Sequence, residues 1–204
     1  MKKCGKLAAR VLFAAVLLSG CGQAMVPDVI VEPTLVIDSD GRVTAYLVGE
    51  FDKSYYDLSE LTAMAREEAA EFGNASQDGT APVTVKSVEA VQDGSGRIVL
   101  AYQFDSTDSY KGFIGNELFY GTVEEALSRG YIQDVILQSA GSGESLVREA
   151  LEEQKEKHMI ITDAAAVIYC PERVTYLSTG AAMKEDGSVD ASLASGTVYI
   201  LLKK

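Results

Sequence analysis

One short pattern is used twice in this chain, and it restricts the fold more than any other feature. Asp38-Ser39-Asp40-Gly41-Arg42-Val43 leads into Ala45-Tyr46, and Asp93-Gly94-Ser95-Gly96-Arg97-Ile98 leads into Ala101-Tyr102, with apolar runs on both sides of each. Glycine reaches the positive φ that a tight turn demands, and an aspartate side chain caps the turn backbone. Both segments therefore read as β-hairpins. Each is followed by a Phe-Asp pair, Phe51-Asp52 and Phe104-Asp105, and then by a helical signal. In the first, Asp57 with Glu60 makes a capping arrangement, and Leu58, Leu61, Met64, Ala65, Ala69 and Phe72 recur at helical spacing until Gly73-Asn74. In the second, Ser106 to Phe113 suits a shorter helix. The chain thus reads as two loosely related β-β-α units near 34–73 and 83–113.

Further along, Thr122 with Glu125 repeats the capping pattern, and Gly130 marks the end of a short helix from Val123 to Arg129. Tyr131 to Gln138 reads as extended. A Gly/Ser link, Ser139 to Gly143, opens a charged helix around Glu144 to Lys157, with Leu146, Val147, Ala150 and Leu151 as its buried stripe. His158–Thr162, Ala166–Cys170, Arg173–Ser178 and Thr197–Leu202 are strand candidates, punctuated by Pro171 and the Asp186-Gly187 turn. Hairpin-joined strands with helices between groups predict an α+β class, a mainly antiparallel sheet with three to four helices packed on it. Residues 34–204 are enough for a single domain with one core.

The first 20 residues read differently. Lys2, Lys3, Lys6 and Arg10 precede an apolar run, Val11 to Leu18, which is the layout of a secretion signal. The run is too short for a bilayer span, which takes about 20 apolar residues. Leu18-Ser19-Gly20-Cys21 resembles the lipobox of bacterial lipoproteins. That resemblance implies recognition of Leu18, Ser19 and Gly20 by signal peptidase and lipidation of Cys21 by a diacylglyceryl group carrying palmitate-type chains. Cys21 then becomes the mature N-terminus, on the extracytoplasmic face of the cell membrane. Two or three acyl chains, each stabilised by about 0.8 kcal/mol per buried CH₂, make such an anchor durable. Residues 21–33, with Pro27 and Pro33, form the lipidated N-terminus and tether, in which Val29-Ile30-Val31 is available as an edge strand.

Charge narrows the partners. The whole chain carries a formal −12, and removing the four basic residues of the leader leaves 14 Lys and Arg against 30 Asp and Glu, or −16. Phosphate backbones and anionic headgroups repel such a body, so nucleic acid is excluded as a partner and the membrane is reached only through Cys21. Cysteine adds no staple. With Cys4 in the leader and Cys21 taken by lipid, Cys170 is left without a disulfide partner and reads as a small apolar residue in or beside a strand.

No catalytic, cofactor-binding or metal-ligating residue stands out, and no cofactor is implied. Asp38-Ser39-Asp40-Gly41 resembles a calcium loop, but its glycine is fourth rather than sixth and its twelfth residue is Gly49 rather than glutamate. Gly141-Ser142-Gly143-Glu144-Ser145 precedes an expected helix and offers amides to an anion, yet it lacks a P-loop lysine and a nucleophile-elbow frame. His158, the sole histidine, falls at an expected helix end, where an imidazole interacts favourably with the dipole. Glu67, Glu68 and Glu71, like Glu149, Glu152, Glu153 and Glu156, lie beside Arg66, Arg148 and Lys155 on expected helix faces, as solvated charge does. Tyr55, Tyr56, Tyr110, Phe113, Phe119, Tyr120 and Tyr131 concentrate in the middle of the chain and could floor a ligand groove or serve half-buried strands.

The succession Phe51-Asp52-Lys53-Ser54-Tyr55-Tyr56-Asp57-Leu58-Ser59-Glu60-Leu61, followed by Phe119-Tyr120-Gly121-Thr122-Val123-Glu124-Glu125-Ala126-Leu127-Ser128-Arg129-Gly130-Tyr131, resembles small lipoproteins of Gram-positive anaerobes. The resemblance implies an envelope address and no particular activity. Two functions fit. The first is a lipid-anchored, non-catalytic module that binds a protein, peptide or small molecule. The second is a membrane-anchored extracytoplasmic hydrolase acting on glycan or peptide, for which a cleft with paired carboxylates and aromatic walls would speak.

Overall fold

The structure, a computed structural model, describes residues 26–74 and 81–203. Cys21 and the recognition residues Leu18, Ser19 and Gly20 lie outside the described residues. Among those described, no helix is long and apolar enough to cross a membrane.

The two turn motifs close the hairpins expected of them. Strands β1 (Thr34–Ile37) and β2 (Val43–Glu50) are joined through Asp38 N–H to Arg42 O, 2.9 Å, with Gly41 at φ 83°. Strands β3 (Val83–Ala90) and β4 (Arg97–Phe104) are joined by a turn in which Gly96 takes φ 68° and Asp93 Oδ1 accepts from Ser95 N–H at 2.9 Å. In both, the arginine after the glycine pairs back to a turn aspartate, Arg42 to Asp40 and Arg97 to Asp93. The second strands of the hairpins are neighbours: β2 and β4 run antiparallel over eight residues, from Val43 opposite Phe104 to Glu50 opposite Arg97.

Helix α1 (Leu58–Asn74) begins where the sequence places it, with Asp57 Oδ1 accepting from Ser59 N–H and Glu60 N–H at 2.7 and 3.1 Å. Helix α2 (Thr107–Ile114) is capped by Ser106. After β5 (Leu118–Thr122), α3 (Val123–Ser128) carries the full capping box: Thr122 Oγ1 accepts from Glu125 N–H while Glu125 Oε2 accepts from Thr122 N–H.

The expected helix over Glu144–Lys157 does not form as such. Strand β6 (Ile136–Ser139), only the end of the expected extended segment, turns into β7 (Ser145–Val147), and a five-residue α4 (Arg148–Glu152) follows. Leu146 pairs with Leu137 across the hairpin, and both enter the core together with Leu151. A strand followed by one helical turn buries Leu146 and Leu151 as a continuous helix would, and pairing with β6 decides between them. Val29-Ile30-Val31 likewise joins no strand. The tether is held instead by Arg97 Nη1 donating to Val31 O at 2.6 Å and by Lys184 Nζ on Glu32 at 2.8 Å.

The remaining strands are β8 (His158–Thr162), β9 (Val167–Tyr169), β10 (Val174–Ser178), β11 (Ala182–Met183), β12 (Val189–Asp190) and β13 (Val198–Leu202). The strands form two sheets rather than one, with orders β11-β12-β9-β1-β2-β4-β3 and β5-β8-β13-β10-β6-β7. All pairs are antiparallel except β1 with β9. The fold is α+β, as its hairpins require.

One core lies between the sheets and contains Leu35, Ile37, Val43, Ala45, Tyr102, Phe104 and Ile168 with Ile160, Val198, Ile200 and Leu202. A second lies on the other face of the six-stranded sheet, where Phe119, Met159, Ile161 and Leu201 meet Val123, Ala126 and Leu151. Phe104 is fully buried, its ring 5.4 Å from Tyr110 and 5.7 Å from Phe113. Phe104→Ala should lower unfolding free energy by about 3–5 kcal/mol in chemical denaturation. A loss below about 1 kcal/mol would contradict this packing.

Candidate functional site

A concavity opens where the first hairpin hands over to α1. Phe51 N–H donates to Gly96 O at 2.7 Å, which ties the segment after β2 onto the turn of the second hairpin. Tyr56 N–H then donates to Lys53 O at 3.1 Å, folding residues 53–56 into a turn that brings Tyr56 back over Phe51. The two rings stack with centroids 4.9 Å apart and planes 26° apart, and Tyr55 meets Tyr56 edge-on at 4.9 Å and 71°. Capping by Asp57 fixes the start of α1 and turns Glu60, Leu61 and Met64 onto the far wall. Ile98, from the second hairpin, completes the lining together with Glu50.

The cleft measures about 430 Å³, within the range of small-ligand sites. Its apolar parts are unusually open: Tyr55 is 76% exposed, Met64 59% and Tyr56 44%. The charged residues around it are Glu50, Asp57 and Glu60, and no lysine or arginine lines it among the described residues. Lys53 is held at 3.0 Å by Asp52. Aromatic faces with a negative rim can grip a partly apolar ligand and repel an anion.

The chain matches no family model, no curated protein and no solved structure. Function therefore rests on the geometry itself.

A larger hollow of about 790 Å³ lies beside the β6–β7 turn and includes Gly141, Ser142, Arg173 and Tyr176. The amides once available to an anion are already engaged there, since Gly141 and Ser142 N–H groups donate to Ser139 Oγ at 3.3 and 3.2 Å. A strand rather than a helix follows them, so the expected helix-end cradle is absent from this turn.

His158 is not at a helix end. It opens β8 opposite Thr122 of β5, and its Nδ1 lies 2.7 Å from Glu172 Oε1. Tyr120 Oη is 3.5 Å from both atoms, while Glu172 Oε2 is buried with no hydrogen-bond partner among the described residues. The cluster links β5, β8 and the segment after β9. Cys170 is buried beside β9, with burial pushing its thiol up to about 12, which removes the thiolate that nucleophilic chemistry needs.

The seven central aromatics do not share a groove. Tyr55 and Tyr56 line the cleft, Tyr110 and Phe113 enter the core between the sheets, Phe119 and Tyr131 pack at 5.0 Å on the other core, and Tyr120 joins His158. Of the nine lining residues, the sequence alone suggests only Tyr55 and Tyr56 for a groove and assigns Glu50, Phe51, Asp57, Glu60, Leu61, Met64 and Ile98 to no site. A signal was present in Phe51-Asp52-Lys53-Ser54-Tyr55-Tyr56, where three aromatics crowd a polar turn that has no strand to bury them.

Tyr102, Tyr110 and Tyr120 are each pushed up to about 12, first by burial and then by Glu68, Asp163 and Glu172 respectively. An unfolded tyrosine ionises at about 10. Between those values the unfolded chain holds fewer protons than the folded one, so stability should fall as pH rises through that window. Phenolate absorbance of the native protein should show these three lagging behind the most exposed of the ten tyrosines. A single native transition at about 10 for every tyrosine would refute their burial.

Proposed function

We propose that this chain is a lipid-anchored protein of the cell envelope, whose acidic α+β body works outside the cytoplasmic membrane as a non-catalytic binding module. Its address follows from the leader: a charged start, a short apolar run and Leu18-Ser19-Gly20-Cys21. Its role is carried by one observation, the open cleft of Phe51, Tyr55 and Tyr56. Exposed aromatic surface in a concavity costs solvation free energy unless a ligand covers it, and such patches mark binding sites.

The carboxylates of Glu50, Asp57 and Glu60 around that cleft are what favour the second reading, an anchored hydrolase of glycan or peptide. Asp57 weighs against it. Its Oδ1 is committed to two backbone N–H groups at the start of α1, a helix-capping duty that leaves it poorly placed to exchange a proton with a substrate.

Anchoring is tested directly by labelling. Expressed in a bacterial host with its own leader and fed labelled palmitate, the protein should incorporate label and partition into detergent. Cys21→Ser should lose the label entirely. Retention of label in that variant, or an unlabelled wild-type protein, would overturn the envelope assignment.

A further inference from the structure

We propose that the cleft between β2 and α1 takes a small soluble organic ammonium cation, preferably methylated at nitrogen, and holds it against the faces of Phe51, Tyr55 and Tyr56. This rests on the binding reading above and assigns the ligand its chemical class.

The argument combines size, ring geometry and charge. A cavity of about 430 Å³ is near the lower end of ligand-site volumes and suits one compact head group. Stacking of Phe51 on Tyr56 leaves each of these rings one outward face, and the exposed Tyr55, edge-on to Tyr56, adds a third ring at a steep angle to that pair. A cation within about 6 Å of a ring centroid is drawn to the negative π-face, more strongly once water is displaced. Methylated ammonium gains most from this arrangement, because it is weakly hydrated, has apolar methyls for Ile98, Leu61 and Met64, and presents few or no N–H groups requiring acceptors.

Charge selects the sign. Glu50 and Glu60 form no ion pair among the described residues, so their field remains available to a ligand. The positive end of α1 opposes a cation, but Asp57 and Glu60 sit in that first turn and offset it. An anion would meet three carboxylates without a counter-ion. An uncharged apolar ligand would desolvate their surroundings and gain nothing from them. The −12 charge of the whole chain draws cations towards the surface in addition.

Choline and tetramethylammonium chlorides are the probes, titrated into the detergent-solubilised full-length protein at constant ionic strength. The control is the uncharged isostere of choline, in which carbon replaces nitrogen. Choline should bind, with its N-methyl proton signals shifted upfield by the ring currents, and the isostere should bind about tenfold more weakly. Tyr56→Leu should weaken choline binding severalfold and reduce the upfield shift, and Glu60→Gln should weaken choline severalfold. Both residues are at the surface, and unchanged circular dichroism will show that the variants fold.

Equal binding of choline and its isostere would overturn the cation assignment while leaving a binding cleft in place. Binding of choline that survives Tyr56→Leu undiminished would place the ammonium elsewhere and refute the site. No upfield shift for either cation at concentrations approaching molar would refute the proposal outright.

Discussion

Strand β13 is buried on both faces, and the architecture follows from that constraint. Val198, Ile200 and Leu202 enter the core shared with the seven-stranded sheet, whereas Tyr199 and Leu201 turn towards α3 and α4. Alternation of period two sends successive side chains to opposite sides, so a strand with apolar residues at every position requires a layer on each side. β8 repeats the device, with Ile160 facing one way and Met159 and Ile161 the other. The second layer on one side is a sheet and on the other is built from short helices and loops, because α3 is six residues long and α4 five. Neither helix would be stable alone. Each persists because its apolar residues fill the far side of a strand that has no other cover.

That arrangement also explains which parts of the fold could be read from the sequence. The hairpins at Asp38–Arg42 and Asp93–Arg97 were legible because the capping aspartate and the positive-φ glycine lie within five residues, whereas the return of each arginine to its aspartate emerges only in the structure. The capping of α1 by Asp57 and of α3 by Thr122 with Glu125 was legible for the same reason. The parallel pairing of β1 with β9 joins Thr34 to Val167, and no local pattern announces a contact at that separation. Strand β12, two residues long, exists because β9 offers it an edge, and the equally short β11 in turn pairs with β12. At Leu146 and Leu151 the apolar spacing satisfied helix and strand alike, and the β6 partner chose.

The candidate site was only half visible for a related reason. Tyr55 and Tyr56 stand out as tyrosines, but what makes them a cleft is Phe51, and what positions Phe51 is its backbone bond to Gly96 in the other hairpin. Ile98 reaches the cleft through the same register, two strands away in sequence order but adjacent in the sheet. His158 with Glu172 illustrates the limit further. The residues belong to different segments, and nothing in either segment alone implies an imidazole held 2.7 Å from a carboxylate.

Arg97 connects the cleft to the proposed anchor. It pairs with Asp93 in its own turn, lies opposite Glu50 in the β2–β4 register and donates to Val31 O in the tether. The residue that fixes where the tether leaves the body thus sits beside two residues of the cleft lining, Glu50 and Ile98. With Cys21 lipidated as proposed, nine residues lie between it and Val31, and the ten Cα steps reach at most about 36 Å when fully extended. The cleft side of the body is then kept within that reach of the bilayer, without being pressed against it. That reach is several times the Debye length of about 8 Å, and an acidic body is repelled by anionic headgroups, so the carboxylates of the cleft, rather than the membrane's surface potential, set its preference for cations. Under the proposal the two features divide the work: the anchor sets the address of the body, and Glu50 and Glu60 set the sign of the ligand that the cleft retains.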